Sequence, residues 1–169
     1  MPILNFSRVS FSELEMNIGL SEMPIERTKL GKSVKIWHSE LVNIYDSEIG
    51  DNTKIAAFVE IGGAKIGRDC KIEAHILIPP GVTIGNSVFI GPHVCFTNDK
   101  FPRANNKNWE LKKTLVGDGV SIGANCTILP GIVIGDNAII GAGSIVCENV
   151  PASTVMYGSK AKPRRINLF

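Results

Sequence analysis

Aromatic residues are scarce in this chain. Seven Phe, two Tyr and two Trp make up 7% of its 169 residues. That scarcity argues against a core built on rings; the plentiful Ile, Val and Gly suit a narrow interior filled by small aliphatic side chains. Strong charge of either sign is also missing. The formal net charge is +2, which gives no reason to invoke nucleic acid. No apolar run approaches the length of a membrane span, and the N-terminus lacks the apolar centre of a signal peptide. A soluble cytoplasmic protein without a membrane partner is expected. The four cysteines show no paired spacing, so nothing points to a disulfide framework or a cysteine metal site.

Residues 66–96 carry a strict pattern instead. Ile66, Ile72, Ile78, Ile84, Ile90 and Phe96 recur every sixth position, and Cys70, Ile76, Val82, Val88 and Val94 follow by four. Six is a multiple of the strand period of two but not of 3.6, so these side chains share one side of short strands and cannot form a helical stripe. A fixed short period of this kind predicts an all-β parallel β-helix, each hexad giving one strand and one bend. Gly50, Gly67, Gly85 and Gly91, with Asp51, Asn52, Asp69 and Asn86, supply the bend chemistry. Cys70 and Cys126 take the small inward position and read as core residues. Cys95 and Cys147 follow inward positions.

The length fits one domain. Residues 1–29 do not obey the hexad; Ser12 and Glu15 form a capping-box pattern, with Phe11 and Met16 placed as a staple, so a short helix capping the first coil is expected. The repeat spans 30–150, irregular around 41–44 and one residue short at Gly62-Gly63. About eighteen hexads predict about six three-sided coils. A polar, basic insertion at 97–114 interrupts the repeat, and insertions leaving a rigid scaffold are commonly functional. Phe101 and Trp109 within it argue against simple disorder. Residues 151–169 should fold back as a C-terminal cap and basic tail.

His75 and His93 are eighteen residues apart in the same hexad position. Three hexads per coil stack them one strand spacing apart, roughly 4.8 Å. Asn98, five residues on, stands at the mouth of the insertion, so the three are expected in one neighbourhood. Three histidines could bind zinc. No second histidine lies within a few residues of His75 or His93, however, and His38 is too far back along the stack. No metal is expected. The tail carries Lys160, Lys162, Arg164 and Arg165 and no acid, a pattern suited either to solvent or to a phosphate-rich ligand.

Taken together, these residues resemble the hexapeptide-repeat acyltransferases. The segments Phe58-Val-Glu-Ile61, His75, Ile90-Gly-Pro and Phe96-Thr-Asn-Asp-Lys-Phe-Pro-Arg-Ala104 resemble more narrowly the nucleotide-linked 3-amino-sugar N-acetyltransferases of surface-polysaccharide synthesis. The resemblance implies a left-handed coil, a homotrimer, and acetyl-CoA lying between adjacent prisms. It places Asn98 at the reacting end of the sugar and Glu60, His75 and His93 at the sugar pocket. Lys100 and Arg103 suit the diphosphate. Gly123-Ala124 and Gly141-Ala142 would line the pantetheine arm of coenzyme A, and the tail cations its phosphates. The related O-acetyltransferases have a catalytic histidine in the corresponding loop, and this loop has none. Gly62-Gly63 replaces the usual Gln-Lys, and 156–161 departs from the usual tail pattern. The expected activity is transfer of acetyl to the amine of a nucleotide-linked amino sugar, with Asn98 and His75 as the catalytic candidates. An O-acetyltransferase or serine acetyltransferase of the same fold, or a non-catalytic hexapeptide scaffold, is the alternative.

Overall fold

A computed structural model describes residues 24–107 and 109–159, and the backbone of 162–164. The expected N-terminal helix, including its capping box, lies outside the described residues. So do Lys160 and Arg165 and the side chains of Lys162 and Arg164.

The hexads fold into a left-handed parallel β-helix of three flat faces, with sheets of seven, six and eight strands. Each strand pairs in parallel with the strand one coil away on the same face. On the first face Glu60 lies opposite Asn43 and Leu77. On the second Ile84 lies between Ile66 and Val116, and on the third Ile90 lies between Ile72 and Ile122. Alternation puts the hexad Ile inside: Ile44, Ile61, Ile78 and Ile128 are fully buried in one contiguous column. Phe96 fills the same column. Cys70 and Cys126 are buried among them, as their hexad position predicted.

The first face carries seven strands, one more than six coils would supply, because the chain joins it at Ile25–Glu26, ahead of Leu30. The periodicity hid this strand for a physical reason. At the corner from first to second face, the early coils use five residues: Ile25 to Leu30, Ile44 to Ile49, Ile61 to Ile66. Arg27, Asp46 and Gly63 make the tight bend there in the left-handed region, at φ 44°, 50° and 55°. The irregularity around 41–44 is a single 3-10 turn, Ser39–Leu41, inserted at a corner.

A second corner explains the recurring Gly-Asx pairs. Asp118 Oδ1 accepts the Asn86 N–H at 2.6 Å, and Asp136 Oδ1 the Asp118 N–H at 2.9 Å. Asn86 Oδ1 accepts the Arg68 N–H. Each carboxylate or amide occupies the space that a Cβ on the preceding coil's glycine would fill. At the C-terminal end Lys162–Arg164 pairs antiparallel with Val155–Tyr157 on the third face.

Candidate active site

The third-to-first corner holds the first group of candidates. Phe58, His75, His93, Asn125 and Gly143 occupy one position on successive coils, each in the left-handed region at φ 59°, 60°, 61°, 57° and 72°. Their N–H groups donate to the coil before: His75 to Ala57 at 3.3 Å, His93 to Ala74 at 3.0 Å, Asn125 to Pro92 at 2.9 Å. Gly, Asn and His are enriched there, whereas Phe is not. The three rings form a ladder. Phe58 and His75 stack at 4.7 Å and 10°, His75 and His93 at 4.7 Å and 1°. Among the described residues neither His75 nor His93 hydrogen-bonds a carboxylate. His38 does, through Nδ1 to Glu40 Oε1 at 3.2 Å. Beside the ladder lies an open groove of about 520 Å³ lined by Leu41, Asn43, Phe58, Glu60, His75 and Leu77.

The insertion leaves at the other edge of the first face. Thr97 is its last tied residue, with N–H and Oγ1 both donating to the Ile128 carbonyl at 2.9 and 3.2 Å. Asn98 then stands exposed, and Asp99 Oδ1 accepts the Phe101 N–H at 2.9 Å in a local turn. Trp109 returns across eleven residues to donate its Nε1–H to the Asn98 carbonyl at 3.2 Å. The returning limb regains the prism at Thr114, whose N–H donates to the Gly81 carbonyl and whose Oγ1 accepts the Gly131 N–H, each at 3.1 Å. A cavity of about 250 Å³ under this loop is lined by Asn98, Lys100, Phe101, Trp109 and Lys112, among others.

Glu60, His75 and His93 therefore gather at one edge of a face, and Asn98 and Lys100 at the opposite edge. A single chain does not bring His75 and Asn98 into one groove. Arg103 is exposed on the loop and lines neither. Further along the histidine corner, Gly123 and Gly141 spend their N–H groups on the next coil, to Ile140 at 2.8 Å and Met156 at 2.7 Å. The N–H groups of Ala124 and Ala142 have no acceptor among the described residues, so these two can offer donors to a ligand. Sequence reasoning assigned no role to Trp109 or to the ring of Phe58. A lone Trp in a polar loop and a Phe at a turn position were the available signals.

A three-sided prism of short coils, carrying small residues along one edge and a polar loop on another, is the form of the hexapeptide class of transferase. The chain carries that family's repeat: the model described as bacterial transferase hexapeptide (six repeats) matches residues 63–98 and 113–148, stopping and resuming at the insertion. It is 30% identical over 136 residues to the galactoside O-acetyltransferase of Lactococcus lactis, across 75% of this chain and 66% of that one. The structure is similar, at TM-score 0.66 and 20% identity, to a variant of AntD, an N-acyltransferase from Bacillus cereus, solved with dTDP and coenzyme A. That match covers 93% of this chain and 89% of AntD. A perosamine N-acetyltransferase variant from Caulobacter crescentus, solved with CoA and GDP-perosamine, matches at TM-score 0.59 and 20% identity. It covers 84% of this chain and 57% of that one. At these identities the structural likeness shows the fold. The chain spans from 24% to 66% of the length of the curated relatives it matches. Among the described residues no cluster could hold a metal ion, and no helix is long and apolar enough to cross a membrane.

Proposed function

We propose that this chain transfers acetyl from acetyl-CoA to the amine of a nucleotide-linked amino sugar. The observation that carries the reading is the loop at Asn98, which offers an amide and cations but no histidine. A hydroxyl must lose a proton to attack a thioester and needs a base. A neutral amine is already a nucleophile and needs chiefly to be held in place. Asn98 supplies an amide for holding the amine or for polarising the thioester carbonyl. Glu60, His75 and His93 hold the sugar, Lys100 and Arg103 the diphosphate. Ala124 and Ala142 offer their N–H groups to the pantetheine arm, and the tail cations meet the phosphates of coenzyme A. AntD and the perosamine enzyme, both N-acyl transferring and both solved with coenzyme A and a nucleotide compound, support this assignment.

The reading requires a homotrimer, because His75 and Asn98 lie at opposite edges of one face and a second copy must bring one edge to the other. Light scattering at micromolar concentration should give the trimer mass; a monomer would remove the shared site. The galactoside O-acetyltransferase relative favours a second reading, acetylation of a sugar hydroxyl. A panel of nucleotide-linked amino sugars and simple galactosides, assayed by thiol release from acetyl-CoA, separates the two. Turnover confined to galactosides refutes N-acetylation.

A further inference from the structure

We propose that Trp109 is the positioning residue that holds the backbone from which the Asn98 side chain projects. The inference rests on the reading that Asn98 meets the acyl acceptor. Up to Thr97 the chain is fixed by two bonds to Ile128, and Asp99 fixes the turn that follows. Between them the Asn98 side chain is exposed and makes no hydrogen bond of its own among the described residues. The place from which it projects is therefore set by its backbone. Among the described residues one bond from outside reaches that backbone: the Trp109 indole N–H on the Asn98 carbonyl at 3.2 Å.

Trp109 can act as a strut because its own limb is anchored. Two residues on, the Leu111 side chain lies over Gly81, 3.1 Å from where a Cβ would stand. Thr114 is held on both sides at Gly81 and Gly131. Packing alone does not explain the residue, since Trp109 is 44% exposed. An indole is a donor without acceptor capacity, on a rigid ring with few torsions. It therefore ties the mouth of the loop to its anchored end without competing for donors that Asn98 presents to a ligand.

The test uses the full chain and Trp109→Phe, which keeps the ring and removes the donor. In proton–nitrogen correlation spectra the Asn98 side-chain amide is assigned by its loss in Asn98→Ala. Both Asn98 amide proton signals should shift in Trp109→Phe, because the backbone that carries the side chain has lost its tie. In kinetics Trp109→Phe should lower kcat roughly tenfold, the upper range for one neutral hydrogen bond, with KM for acetyl-CoA unchanged. In the Asn98→Ala background it should have no further effect, since the strut then has no amide to place. Trp109→His, which restores a ring N–H, should recover part of kcat. Unmoved Asn98 amide signals, or a kcat loss that multiplies with that of Asn98→Ala, overturns the proposal. If wild type acetylates no amino sugar, the functional reading fails separately, and the amide signals still decide the role of Trp109 without substrate.

Discussion

Replacing Gly123 by alanine should destabilise the prism by about 3 kcal/mol. A Cβ built there lies 2.5 Å from the Ala142 nitrogen, 2.8 Å from its Cα and 3.0 Å from the Ile140 carbonyl oxygen. All three are backbone atoms of the next coil, so no side chain can swing aside. Ordinary contact begins at 3.4 Å, and the coils must part locally by about 0.9 Å to reach it. The Gly123 N–H bond to Ile140, now 2.8 Å, would stretch beyond hydrogen-bonding range. That loss costs about 1 kcal/mol, and overpacking adds about 1–3 kcal/mol. Gly143→Ala, on the same corner one coil later, is the control. Nothing lies within 4 Å of its Cβ position, while its φ of +72° carries only left-handed strain, about 1–2 kcal/mol. Urea unfolding followed by far-ultraviolet circular dichroism on both variants compares the two. A Gly123→Ala loss no larger than that of Gly143→Ala would refute the claim that close backbone approach, rather than turn conformation, selects this glycine.

Three further outcomes are expected. Asn98→Ala should lower kcat on the order of a hundredfold while sparing KM for acetyl-CoA; His75→Asn should do less, and the rate should rise with pH until the substrate amine is neutral. An inflection that ignores the substrate and vanishes in His75→Asn would make His75 the base. The Asn86 N–H, and then its side-chain amide, hold the Asp118 carboxyl below its ordinary range. Its stabilisation is therefore present above the ordinary carboxylate range and lost as pH falls through the lowered value. Asp118→Asn keeps the acceptor, so its stability should fall less steeply on acidification than that of wild type in thermal melts from pH 7 to 3. Neutralising Lys160, Lys162, Arg164 and Arg165 together should raise KM for acetyl-CoA more than it changes kcat. Dephospho-coenzyme A derivatives should lose less, and equal losses for both donors would leave the tail a solvated end.

What the sequence could reveal here followed from what repeats. Ile66 to Ile90 disclosed the strand period, the inward face and the coil length, because a stack of identical coils writes its geometry into spacing. The same arithmetic placed His75 over His93, and the rings stack at 4.7 Å. It missed the strand Ile25–Glu26, since a five-residue corner breaks the hexad without breaking the stack. The Gly-Asx pairs were read as bend formers, and they are also a lattice between coils: the Asp118 oxygen needs the bare Gly85 to reach the Asn86 N–H. No single-coil pattern contains that information. Trp109 was invisible as a partner of Asn98, because contacts inside an insertion obey no period.

The expected closeness of Asn98 to the histidines shows where spacing misleads. Eighteen residues separate His75 from His93, yet a full coil returns the chain to the same corner. Five residues separate His93 from Asn98, and they run across a face through the strand Cys95–Phe96. An extended segment of that length spans about 16 Å, farther than either side chain reaches. The two edges consequently line separate cavities, one beside Phe58 and Glu60, the other under Lys100 and Trp109. No rotamer change within the chain closes that gap. On the proposed reading, rotation about a shared axis closes it, because a prism presents the histidine edge and the loop edge on one side of its outline. A neighbour that uses one edge leaves the other for the next copy. On that reading the heterologous contact closes into a ring after three copies, and three prisms make three equivalent sites, each with histidines from one chain and an asparagine loop from another.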